Sequence, residues 1–301
     1  CRPSRAGFFI SKGERTMIFQ TERLIQVLSK VREQKPVVHA ITNWVTANEV
    51  ASSLHAIGAR PIMASAPEEV EEVTSRADAL VLNLGTPSSA RIEAMLLSGL
   101  QANRDGHPVL FDPVGVSASK FRTESCGRIL SELRVTVIRG NQSEIGTLAG
   151  RECCLAGVDA VAGPEDLHQA AEHLSEKTGA VVAASGPQDL IVFSGRKVMV
   201  ENGHPMMGLV TGTGCMLTAV IGAFNAVESD PMVATVSAMA FFGLAGEQAA
   251  LRANGPGTFK SALLDTLFSL TPDQMRKGIK IRFCNALAPF ETKLDTGQEC
   301  F

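Results

Sequence analysis

Five short runs of almost unbroken apolar character, each ending at or just before glycine or asparagine, constrain this chain most: PVVHAIT (36–42), ALVLNLG (79–85), PVLFDPVG (108–115), VTVIRGN (135–141) and AVVAASG (180–186). A strand with one wet face alternates apolar and polar residues. A run that is apolar at nearly every position predicts a strand covered on both faces. Between the runs lie segments with helical spacing, at 48–57, 88–104, 143–149, 164–177, 215–227 and 232–252. Strand and helix in alternation predict a three-layer α/β fold, with a mostly parallel central sheet flanked by helices on both faces. A later stretch, VFSGRKVMVENGHP, reads as a hairpin turning near residues 194–196.

Ligands of such sheets gather at the carboxyl ends of the strands. Thr42 and Asn43, Gly85, Asp112, Asn141 and Ser185 all fall there. With 301 residues, 45% of them hydrophobic, the chain can bury an ample core in one domain. We place that domain at 17–287, set residues 1–16 apart as an upstream segment because Met17 is a natural start, and read 288–301 as a loose tail. Acidic and basic residues nearly balance at a formal net charge of −3, so no broad nucleic-acid surface is expected. The longest apolar stretch, 215–227, is interrupted by Thr218 and Asn225 and falls short of the roughly 20 residues that span a bilayer. Seven cysteines without a C-x-x-C pair suit reduced thiols in the cytoplasm better than a disulfide framework.

Two nucleotide motifs fail. No G-x-G-x-x-G follows the first strand, and NGPGTFKS (254–261) has Asn254 and Phe259 where a phosphate loop needs glycine. A better anion site is GLVTGTGCMLTAV (208–220), a glycine-rich turn running into an apolar helix. Glycine at 212 and 214 allows close backbone approach, and unpartnered N–H groups at a helix start attract anions. Cys215 follows at the expected first helical position, where the helix dipole would favour thiolate. On local sequence alone a tight strand-to-helix connection accounts for the glycines equally well, and an inert buried thiol is the commoner fate of such a cysteine.

In four ordered stretches, TNWVTANEVASSLHAIGARPIM (42–63), LFDPVG (110–115), VIRGNQSEI (137–145) and GTGC (212–215), the chain resembles hydroxyethylthiazole kinase, a thiamine-salvage family of ribokinase-like fold. The likeness extends from about residue 36 to residue 270. It implies phosphorylation of the primary alcohol of 4-methyl-5-(2-hydroxyethyl)thiazole by ATP with Mg²⁺, in a cytoplasmic homotrimer whose pocket is shared between neighbouring subunits. Residue by residue it implies Cys215 as the catalytic group and Gly212 with Gly214 as the anion hole. Asn43, Met63 and Gly212 would hold the alcohol, Arg139 and Ser185 the ATP, and Asp112 and Glu144 the magnesium. Hard oxygen ligands suit that ion, which keeps most of its waters. The residues themselves leave other accounts open. Asp112 could cap a turn, Glu144 could be a first-turn helix acid, and Met63 could be plain core. Trp44 departs from the smaller or polar residue expected beside Asn43. Kinases of a pyrimidine alcohol or of pyridoxal are the near alternatives. A lyase acting on hydrated nicotinamide cofactors is less compatible with cysteine at 215, and a non-catalytic ligand sensor with Asp112, Glu144 and Cys215 together.

Overall fold

The structure is a computed structural model and describes residues 12–150 and 164–284. Among these residues nine strands form one sheet: β1 (Val37–Ile41), β2 (Arg60–Ile62), β3 (Ala79–Asn83), β4 (Val109–Asp112), β5 (Val137–Asn141), β6 (Val181–Ser185), β7 (Asp189–Phe193), β8 (Arg196–Val200) and β9 (Ile281–Phe283). Their order is β2-β1-β3-β4-β5-β6-β7-β8-β9. Every pairing from β2 to β6 is parallel, and the last three pairings are antiparallel. The expected mostly parallel sheet is therefore present.

Helices cover both faces. They are α1 (Lys12–Gln34), α2 (Ala47–Ala56), α3 (Val70–Ser75), α4 (Ser89–Asp105), α5 (Lys120–Glu132), α6 (Gln142–Leu148), α7 (Pro164–Thr178), α8 (Thr213–Asn225), α9 (Pro231–Ala250), α10 (Pro256–Ser269) and α11 (Pro272–Gly278). Successive strand side chains point to opposite faces. Val81, Leu110, Val181 and Ala183 pack with Leu24 and Leu28 of α1, Phe224 of α8 and Phe241 of α9. Their neighbours Leu80, Leu82, Phe111 and Val182 pack on the other side with Met95 of α4, Ile129 of α5 and Leu174 of α7. This two-sided burial is why the strand sequences lack alternation. Each fully buried large side chain contributes about 1.5–3 kcal/mol.

The anticipated hairpin joins β7 to β8. Ser194 and Gly195 both have positive φ, 47° and 73°, as a tight two-residue turn demands. Several elements were not anticipated: α1, β2, α3, α5, α10, α11 and β9. Helix α1 starts at Lys12, ahead of Met17, so its backbone crosses the boundary drawn at residue 17. Residues 1–11 and the tail at 288–301 lie outside the described residues.

Glu228, just beyond α8, fastens α1 to the body. Its side chain is only 4% exposed and receives Arg23 Nη2 at 2.7 Å and Lys30 Nζ at 2.9 Å. Burial by itself would raise the carboxyl pKa, but the bonds from Lys30 and Arg23 outweigh it and hold the group below its ordinary value. A depressed folded-state pKa adds stability above the unfolded pKa, which is lost as pH falls through the folded one. Glu228→Gln should thus cost about 1–2 kcal/mol at neutral pH. Urea unfolding at a series of pH values should show the gap to wild type closing below about pH 4.

Candidate active site

The carboxyl ends of five adjacent parallel strands meet the start of α8. Asn43 follows β1, Asn83 closes β3, Asp112 closes β4, Arg139 lies on β5 and Ser185 closes β6. Asp112 is fully buried. Its Oδ2 accepts from Asn83 Nδ2 and from Thr218 Oγ1, both at 2.9 Å, and Arg139 Nη1 stands 3.9 Å away. Its Oδ1 is buried with no hydrogen-bond partner. Burial pushes the carboxyl up to about 6, against the pull of the Arg139 cation and with help from the Glu144 charge. A turn cap would direct its oxygens to nearby backbone N–H groups. Asp112 directs Oδ2 to side chains from β3 and α8 instead.

Cys215 is the third residue of α8 rather than the first, because the helix begins at Thr213 with Gly212 as its N-cap. Its Sγ accepts from Asn83 Nδ2 at 3.3 Å and from Asn43 Nδ2 at 3.4 Å. Asn83 also takes Asn43 Nδ2 on its Oδ1 at 3.0 Å, together with the Gly85 N–H at 2.9 Å. Both amide hydrogens and both lone-pair directions of Asn83 are thereby used. The expectation of a thiolate favoured by the helix start is reversed. Burial raises the thiol pKa, the Asp112 charge raises it further, and the asparagine donors offset this only in part.

No side chain caps α8; the Thr213 N–H donates to the Val210 carbonyl at 3.3 Å, which leaves the amides of Gly214 and Cys215 for something else. Gly212 has φ +93°, and a Cβ there would come 2.8 Å from Thr46 Cγ2. A Cβ on Gly214 would lie 2.5 Å from Arg139 Nη1, so glycine is what lets the guanidinium lie against the helix start. Arg139 Nη2 donates to Ser185 Oγ at 2.6 Å, and Arg139 Nε is buried and unpartnered. Arg139, Ser185, Thr213 and Gly214 form the polar end of a cleft of about 510 Å³. Met207, Leu217, Met239 and Phe242 line its apolar part.

Glu144 joins this centre indirectly. Its Oε1 accepts the Gly115 N–H at 2.9 Å and its Oε2 the Asn141 N–H at 2.8 Å, the latter completing a capping box at the start of α6. The first-turn acid and the residue whose charge reaches Asp112 are the same group. No cluster of three or more His, Cys, Asp or Glu suited to a metal occurs among the described residues. Mg²⁺ needs only one or two carboxylates besides water and phosphate oxygens. The unpartnered Asp112 Oδ1, with Glu144 near enough to raise its pKa, fits that demand. Met63 stands apart, one residue beyond edge strand β2 and partly buried against the α8-side core. Asn83 and Thr218 were missed. Asn83 carries the same signal as Asp112, a polar residue closing an apolar strand.

The family model described as hydroxyethylthiazole kinase family matches residues 28–273. The chain is 48% identical over 260 residues to a hydroxyethylthiazole kinase of Thermoanaerobacter pseudethanolicus, covering 86% of this chain and 98% of that one. Its fold superimposes with a TM-score of 0.81 on a hydroxyethylthiazole kinase from Pyrococcus horikoshii OT3, at 40% identity over 87% of this chain and 99% of the other. A ribokinase-like superfamily protein from Enterococcus faecalis, 14% identical, shares the fold at a TM-score of 0.58 over 84% of this chain and 95% of its own.

Asp112→Asn tests whether the buried charge is maintained at a cost. Because the folded-state pKa of about 6 exceeds the ordinary carboxylate value, this group's own contribution to stability is fully present in acid and is lost as pH rises through about 6. Denaturant titration without Mg²⁺ should find the variant about 1–3 kcal/mol more stable than wild type above that range. The two should coincide near pH 4. A variant no more stable at neutral pH would mean that the carboxylate is already compensated by its neighbours.

Proposed function

The chain belongs to the hydroxyethylthiazole kinase family and is an ATP-dependent kinase of the thiazole alcohol, and we propose the division of labour by which its residues perform the transfer. One observation carries the proposal. Cys215, Asp112, Arg139 and the uncapped start of α8 form one connected cluster beside a cleft large enough for a nucleotide.

ATP occupies the cleft, with its base toward Met207, Met239 and Phe242 and its phosphates toward Arg139 and Ser185. The planar fork of Arg139 suits phosphate oxygens, and its unpartnered Nε marks a cation not fully used by the protein. The N–H groups of Gly214 and Cys215 receive the migrating phosphoryl group, whose charge spreads over its equatorial oxygens in a loose transition state. Asp112 and Glu144 would hold Mg²⁺, which would neutralise charge on the phosphates. The alcohol enters from the Asn43 side, between Met63 and Gly212, and its oxygen is held at Cys215 Sγ. A thiol with a raised pKa stays protonated at neutral pH and does not take the hydroxyl proton readily. Its main task is to place the oxygen in line with the phosphorus, where positioning accounts for much of the rate.

The assembly we favour is a homotrimer that shares this acceptor side between neighbours. Val45 and Leu209 leave apolar surface, 63% and 69% exposed, for a second copy to cover. The odd number of cysteines supports work in the reducing cytoplasm. No helix among the described residues is long and apolar enough to cross a membrane.

Coupled ADP release with the thiazole alcohol, a pyrimidine alcohol and pyridoxal tests the acceptor. The thiazole should lead by at least about tenfold in kcat/KM, and no preference for it would refute the substrate. Cys215→Ala should lose about 10²-fold in kcat, whereas Cys215→Asp, which restores an acceptor for the hydroxyl proton, should remain within about tenfold of wild type. Equal collapse of both variants would exclude a role at the hydroxyl that a carboxylate can fill.

A further inference from the structure

Arg91 lies on α4, outside the cluster described above, yet it is only 5% exposed. Its Nη2 donates to the Thr42 carbonyl, and its Nη1 reaches Thr86 Oγ1 at a long 3.5 Å. Its guanidinium carbon stands 5.0 Å from the centre of the Trp44 ring. Burial works against its charge, its Nε has no hydrogen-bond partner, and no carboxylate among the described residues pairs with it. A buried cation without a counter-ion is costly, and an apolar side chain would fill the space at less expense. The contacts it makes all belong to the surroundings of Asn43.

Thr42 and Trp44 flank Asn43, and the Trp44 N–H donates to the same Thr86 hydroxyl at 3.3 Å. Thr86 itself sits at φ +45°, a region that β-branched residues avoid, so its neighbours must hold it there. We propose that Arg91 is a positioning residue for phosphoryl transfer. It clamps residues 42–44 so that Asn43 addresses Cys215 and Trp44 stands as a fixed flat wall beside the acceptor alcohol. The guanidinium covers one side of the indole as a cation under an aromatic face. The rest of the ring is free to meet a planar heteroaromatic ligand. This role rests on Cys215 and Asn43 facing the acceptor, as proposed above.

Steady-state kinetics and tryptophan emission of wild type, Arg91→Met and Arg91→Lys test it. In Arg91→Met the stem remains and the planar fork is lost. Its kcat/KM for the alcohol should fall about thirtyfold while KM for ATP stays within about twofold. Emission of Trp44, the only tryptophan, should shift in the substrate-free variant. Arg91→Lys should restore the cation and the wild-type emission but only part of the rate, because an ammonium cannot make the two-point contact. A parallel fall for alcohol and ATP, or an unmoved Trp44 emission in Arg91→Met, would reduce Arg91 to scaffold. If Arg91→Met does not fold, Trp44→Leu takes its place. It removes the wall while leaving Arg91, the same alcohol-specific loss is expected, and unchanged alcohol kinetics overturn the proposal. A wild-type protein inactive on every thiazole alcohol would defeat the functional assignment instead, while the emission comparison still judges the clamp.

Discussion

A carboxylate held out of water at the end of a central strand is the constraint around which this molecule is arranged. Leu110 and Phe111 bury the strand on opposite faces, and Asp112 arrives at the sheet's end fully buried. Asn83 on the neighbouring strand and Thr218 on the covering helix supply its hydrogen bonds, and Arg139 on the next strand supplies a partial counter-charge. None of these reaches Oδ1. Buried charges are tolerated where attraction and hydrogen bonds offset desolvation, and here the offset is left incomplete. That incompleteness is what the proposed magnesium role rests on.

Much of the fold was legible because two-sided burial leaves a signature in composition. Val81 faces α8 while Leu80 and Leu82 face α4, and all three must be apolar, so β3 reads as an unbroken run. Strands β2 and β9 escaped notice for the opposite reason. Each has three residues, lies at an edge of the sheet and is only partly buried, so neither carries a run at all. Helix α10 was hidden inside a stretch weighed only as a phosphate motif. The proline in NGPGTFKS stands at the first helical position, where its fixed φ and missing N–H do no harm.

The site was legible wherever a polar residue interrupts an apolar strand end, as Asp112 and Arg139 do. Asn83 does so as well, but the glycine two residues later drew the attention. Thr218 could not be read from sequence, since in an apolar helix a threonine looks like an interruption until the strand opposite it is known. The thiolate expectation for Cys215 considered one field, that of the helix, without the nearer charge of Asp112 and the loss of water. Distance decides between such terms, and sequence carries no distances. Arg91 was invisible for a related reason: it reads as a surface helix residue until α4 is packed against the loop after β1.

From β3 to β9 the sheet follows chain order, but α8 does not come with the strands it covers. It is encoded after β8 and returns across the sheet to lie on β1, β3 and β4. The strand ends therefore line up from one part of the chain, and the helix that shuts Asp112 from water comes from another. Helix α8 covers Asp112, and Met216, Val220 and Phe224 on that helix supply apolar area that holds it on the sheet. The burial of the carboxylate is thus coupled to a large apolar contact, and the reactive centre exists only where a segment encoded far down the chain lies over the strand ends.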